Sequence, residues 1–85
     1  METIMKIIET PGLEHAGLSG RIEIHLKTSW GEHAEIYRWG AKSEHRDEAT
    51  ACAAAITFWN GARAIYQMSG AAKAAPSPII QRLVE

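Results

Sequence analysis

The side chains able to do chemistry in this chain are few. They are one cysteine, Cys52, four histidines at His15, His25, His33 and His45, and a scatter of serines and carboxylates. Cys52 sits in Ala49-Thr50-Ala51-Cys52-Ala53-Ala54-Ala55. A reactive thiol needs an electropositive, accessible setting, and an alanine run supplies neither, so Cys52 reads as a small buried hydrophobe. The histidines show no helical metal spacing and no CxxC partner. His25 and His33 fall in strands expected to face each other and both are read as pointing outward. Beside Glu23 and Glu35 they suggest a solvated polar cluster, with an adventitious zinc site as the competing reading.

Nucleophilic catalysis needs a nucleophile, a base and an orienting group in contact. Ser19, Ser29, Ser43, Ser69 and Ser77 fall in predicted loops without a recognisable elbow. Gly17-Leu18-Ser19-Gly20 lacks the Lys-Ser/Thr ending of a phosphate loop and precedes a strand, where a phosphate loop precedes a helix. The carboxylate pairs Glu32/Glu35 and Asp47/Glu48 carry no mark of burial. The sequence therefore predicts a protein that is not an enzyme, with no catalytic residues, no metal and no cofactor.

At 85 residues the chain has room for one domain with a thin core. Its apolar share of 46% and charged share of 22% are those of a folded domain. The net charge of −1 lacks the basic excess of a phosphate-gripping protein and the acidic excess of a nucleic-acid mimic. Nucleic acid is therefore not the expected partner. A single cysteine allows no internal disulfide. The run Met1–Glu9 lacks the length and basic start of a secretory signal. No stretch reaches the length of a membrane span. A cytoplasmic protein is expected.

The elements that would position these groups follow from hydrophobic period. Thr3–Thr10 reads as a first strand, broken by Pro11-Gly12, with a loop over Leu13–Gly20. In Arg21–Thr28, Ile22, Ile24 and Leu26 alternate with Arg21, Glu23, His25 and Lys27, the mark of a strand with one dry face and one wet face. Ser29-Trp30-Gly31-Glu32 reads as the turn, and His33–Trp39 as the returning strand. There Ala34 and Ile36 are assigned to the dry face, and His33, Glu35, Tyr37 and Trp39 to the wet one.

Asp47, or in competition Ser43, caps an alanine-rich helix. Its inner stripe is read as Ala49, Cys52, Ala53, Ile56 and Trp59, and Gly61 as its stop. Ala64–Met68 then reads as a fourth strand. Residues 69–76 form a small-residue linker. The tail 77–85 reads as a short helix opened by Ser77-Pro78, with a short strand as the alternative. The fold class is α+β: a small antiparallel sheet in the order β-β-β-α-β, one Ala-rich helix on one face, and a short C-terminal helix or tail, all in a single domain.

The face left free by the helix is the expected binding surface, because interfaces favour Trp, Tyr and Arg as anchors; cover of its aromatics by the C-terminal tail or a dimer mate is the competing reading. Arg21, His25, Trp30, Tyr37, Arg38 and Trp39 are its candidate residues. The landmarks Glu9-Thr10-Pro11 at the end of a first strand, a hairpin, and an Ala-rich helix running to Trp59-Asn60-Gly61 are together similar to some small phage- and mobile-element-encoded anti-CRISPR proteins that act on type I systems. The likeness spans roughly residues 2 to 68. It implies a non-enzymatic inhibitor, monomeric or weakly dimeric. Such a protein binds a subunit of the crRNA-guided surveillance complex (Cascade) in the host bacterial cytoplasm, and blocks DNA binding or nuclease recruitment. Three strands followed by a helix also resemble the DNA-binding arm domains of phage integrases and a plant transcription-factor domain, which lay a sheet face into the major groove. An antitoxin-like regulatory subunit that dimerises through an edge strand is the third reading.

Overall fold

A computed structural model of the chain describes residues 1–10, 19–68 and 77–85. Within them run β1 (Glu2–Glu9), β2 (Gly20–Thr28), β3 (Gly31–Trp39), α1 (Glu48–Met68) and β4 (Ile79–Val84). The strands form one four-stranded sheet in the order β3-β2-β1-β4. The β1–β2 and β2–β3 pairs are antiparallel, whereas β4 runs parallel to β1, so the sheet is mixed. The α+β class and the β-β-β-α-β order hold. The fourth strand, however, is supplied by the tail, which is a strand and not a helix. Most of the expected loop over Leu13–Gly20, and the expected linker over 69–76, lie outside the described residues; Gly20 itself opens β2.

The β2–β3 hairpin turns more tightly than its sequence suggests. Thr28 pairs with Gly31, leaving only Ser29 and Trp30 between the strands. The Thr28 hydroxyl accepts from the Trp30 amide at 3.1 Å, and Gly31 sits at φ 130°, where a Cβ would be strained. This loop length fixes the register. Ile22 faces Tyr37, Ile24 faces Glu35, Leu26 faces His33 and Gly20 faces Trp39. Residues directly opposite share a face, so Tyr37 and Trp39 lie on the dry side with the isoleucines. Ala34, Ile36 and Arg38 point the other way, beside His25, Glu23 and Arg21. The expected facing of β3 is thus inverted throughout. His25 and His33 lie on opposite sides of the sheet, which removes the cluster expected of them.

The helix is capped as expected. The Asp47 carboxylate accepts from the Thr50 amide at 2.8 Å and from the Thr50 hydroxyl at 2.7 Å. Those bonds, the backbone one first, hold the Asp47 carboxyl below the usual carboxylate range. The helix then runs through Asn60-Gly61 to Met68, so Ala64–Met68 is helix and not strand. Positive φ among the described residues is confined to Gly31 and Gly40. Ala51, Ala55 and Tyr66 form its buried line, while Ala49 and Ala53, expected inside, are exposed. Alanines on every side give a helix no sharp apolar stripe, and the bulk of Ile56, Phe58 and Tyr66 decides its rotation instead.

Helix and sheet meet over Met5, Ile7, Ile22, Trp39, Ala51 and Ala55, with Tyr37, Cys52 and Ile56 packed at the margin. Trp39 is 2% exposed. It lies over Gly20, where a built Cβ would come within 2.6 Å of the indole ring and closer still to the Ile8 carbonyl. Glycine at position 20 therefore makes the space that the indole fills. At the other end the Trp59 indole N–H donates to the buried Thr3 hydroxyl at 3.0 Å, tying the helix to β1.

Two substitutions test this packing. Gly20→Val is expected to lower stability by about 1–3 kcal/mol through overpacking, read as a lower urea midpoint. Nothing lies within 4 Å of a Cβ at Gly61, so Gly61→Ala should raise stability by about 0.5–1 kcal/mol. A loss at Gly61 would instead indicate a helix that ends there.

Candidate protein-binding face

The helix covers one side of the sheet and leaves the other open. On the open side β2 presents Arg21, Glu23, His25 and Lys27 as a central charged ridge. Alternation along the neighbouring strands sets apolar groups on both flanks. Ile4 and Ile8 of β1, with Ile79 and Leu83 of β4, line one side; Ala34 and Ile36 of β3 line the other. Ile8, between Arg21 and Leu83 in the register, is buried, whereas Ile36, Ile79 and Leu83 are exposed. A shallow depression of about 360 Å³ opens among Glu2, Ile4, Lys6, His25, Lys27 and Ala34.

Four of the polar groups on this side, Arg21, Glu23, His25 and Glu85, are linked to one another. Arg21 Nε donates to Glu23 Oε2 at 2.7 Å, and its Nη2 donates to Glu85 Oε1 just beyond β4. The other oxygen of Glu23 meets His25 Nε2 at 2.9 Å. This chain of contacts runs from the end of β4 to the middle of β2. It also answers a local problem. Arg21 lies directly opposite Arg38, and like charges in that position repel; Glu23 and Glu85 neutralise Arg21. Arg38 itself is exposed and has no ion-pair partner among the described residues. The Arg21 hydrogen bond, then that of His25, holds the Glu23 carboxyl below the usual carboxylate range. Arg21 depresses Glu85 in the same way.

Arg21, His25 and Arg38 of the expected site are thus brought together on the open side. Tyr37 and Trp39 are not. Trp39 is a core residue. Tyr37 is half-buried on the helix side with its ring 6.2 Å from that of His45, and burial, then Glu35 and Glu44, pushes its hydroxyl pKa up. Trp30, 63% exposed, stands apart at the hairpin tip, edge-on to Tyr66 at 5.6 Å. Beside it Met1, Phe58, Ala62 and Ile65 line a second, apolar hollow of about 240 Å³. Ile36, Ile79 and Leu83 escaped the sequence reading. The two-residue loop was the signal for Ile36. The β-branched Ile79-Ile80 was the signal for β4.

Among the described residues no three of His, Cys, Asp and Glu converge to hold a metal ion, and no helix is long and apolar enough to cross a membrane. Set against protein-family models, curated proteins and solved structures, the chain matches none of them.

The Glu23 contacts carry a pH signature. A depressed carboxyl contributes stability that is present above its unfolded pKa, ordinarily about 4.3 for Glu, and lost as pH falls through the folded value. Glu23→Gln should therefore unfold at lower urea than wild type at neutral pH. The gap should close as pH drops into the acid range below that ordinary value. A gap independent of pH would contradict the ion pairing.

Proposed function

We propose that this chain is a non-enzymatic inhibitor that binds a protein partner through the open side of its sheet. The observation that supports this reading is the composition of that side. Exposed Ile36, Ile79 and Leu83 flank a ridge in which Arg21, Glu23 and His25 are already ordered by mutual hydrogen bonds. Such a surface combines apolar area with little ordering cost on binding. Arg38, exposed among these groups, is the candidate anchor.

The partner proposed is a subunit of a type I crRNA-guided surveillance complex, with DNA binding or nuclease recruitment blocked in the host bacterial cytoplasm. That target comes from the resemblance to anti-CRISPR proteins; the open face supports protein binding as a class. Duplex DNA is the weaker fit. Lys6, Arg21, Lys27 and Arg38 are matched on this side by Glu2, Glu23, Glu32 and Glu85, so phosphate would meet as much repulsion as attraction.

The test is co-elution with purified type I surveillance complexes, followed by target-DNA binding of the mixture. Wild type should co-elute and abolish DNA binding. Ile36→Asp and Arg38→Glu should keep the circular dichroism spectrum and weaken the partner about tenfold or more. Failure to bind any such complex removes the target. Full binding by both variants removes the face. A salt-dependent shift of duplex DNA by the protein alone would favour the DNA reading.

A further inference from the structure

The sheet has two edges, and they are treated differently. The β3 edge carries Glu32, His33, Glu35 and Arg38, and Trp39 at its end is bridged by His45. Charges of this kind keep an edge from pairing with another chain. The β4 edge is Ile79-Ile80-Gln81-Arg82-Leu83-Val84. Its single charge, Arg82, is held on the helix side by Glu48 through two hydrogen bonds of 3.1 and 3.0 Å. Ile79, Ile80, Leu83 and Val84 are 55%, 59%, 45% and 70% exposed. Among the described residues nothing pairs with the outer side of β4.

The backbone of β4 limits what can add to it. Glu85 donates its amide to the Glu9 carbonyl. Successive residues of a strand direct their backbone groups to opposite sides. Odd positions of β4 therefore face β1, in agreement with Thr10, an even position, donating its amide to the other side, to the Ser19 carbonyl. Ile80, Arg82 and Val84 point their N–H and C=O groups outward. A second copy pairing antiparallel must match even positions with even ones. If Arg82 faced its own copy, like charges would be opposed. Sliding the copies by one such step sets Ile80 opposite Arg82 and Ile79 opposite Leu83, with Gln81 on the symmetry axis. Ile79 then meets Leu83 on the open side, while on the helix side Ile80 lies against the aliphatic stem of Arg82, whose guanidinium keeps its Glu48.

We propose that β4 is a homodimer interface, joining two copies edge to edge in this antiparallel register. The helices then lie on the same side and the two open faces merge into one continuous surface, which goes beyond the single-copy binding face above. The exposed part of four apolar side chains is well short of the ~800 Å² per partner of a standard stable interface. The dimer is accordingly weak and concentration-dependent.

Sedimentation velocity of the full chain tests this. Wild type should shift from monomer to dimer as concentration rises from low micromolar toward millimolar. Ile80→Pro deletes an N–H that points away from β1, and should remain monomeric with an unchanged circular dichroism spectrum. Leu83→Lys should do the same through the side chain, should the proline variant fail to fold. The register is read by cysteine pairing in a Cys52→Ala background. Opposed non-hydrogen-bonded residues have Cα atoms about 4.5 Å apart, within disulfide range, so Gln81→Cys should cross-link readily and Arg82→Cys should not. A monomer at every concentration overturns the proposal, as does a dimer indifferent to both edge variants. Cross-linking through position 82 in place of 81 overturns the register. Protection of the Ile80, Arg82 and Val84 amides only in a complex with another protein would assign the edge to that partner.

Discussion

The hairpin that joins β2 to β3 has only Ser29 and Trp30 between its paired ends, and the rest of the molecule is arranged around that constraint. A strand alternates faces at every residue, so one residue more or less in the loop would move each β3 side chain to the opposite side. With this loop, Trp39 arrives over Gly20 and fills the core beneath the helix. Arg38 arrives opposite Arg21 on the open side, where Glu23 and Glu85 absorb the repulsion. A tryptophan in the core and an arginine on the surface are consequences of the same geometric choice.

The elements were legible in the sequence where period and side-chain bulk agreed. β2 shows its alternation openly, Asp47 stands where a cap belongs, and the helix up to Trp59 follows. Legibility failed where small residues left the facing undetermined. In β3, Ala34 and Ile36 look like the dry pair by hydrophobicity alone, yet loop length outranks hydrophobicity in setting register. In the helix, Gly61 carries a stop signal that the chain overrides, since Tyr66 gains burial beyond it. In the tail, Ser77-Pro78 resembles a helix start, but the free edge of β1 offers backbone partners that a short isolated helix lacks. Of the expected site, Arg21 and His25 were readable because β2 was correctly phased, whereas Arg38, on the same strand face as Ala34 and Ile36, reaches the open side only because the facing of β3 is inverted. Tyr37 and Trp39 were misplaced by that same inversion.

A chain of this size builds one layer of helix on one layer of sheet, and cannot cover both sides of either. The helix packs over β2 and β3 and reaches β1 through Trp59. It touches β4 through the Glu48–Arg82 pair. Among the described residues, the side of the sheet away from the helix stays uncovered except at buried Ile8, and so does the outer edge of β4. On the β2 ridge Arg21, Glu23 and His25 satisfy one another together with Glu85, while Ile36, Ile79 and Leu83 on the flanks stay exposed. That division, with fixed polar groups between exposed apolar ones, is the observation behind the proposal of a protein partner.

The facing of β3 is the claim on which the rest turns, and proton–proton Overhauser contacts of the Trp39 indole measure it most directly. The account predicts contacts from that ring to the Gly20 α-protons and to the Ala51 and Ala55 methyls, with the Ala34 and Ile36 methyls showing none to the helix. Contacts from Ala34 and Ile36 to the helix, with the Trp39 ring near Arg21 and exposed to solvent, would contradict it.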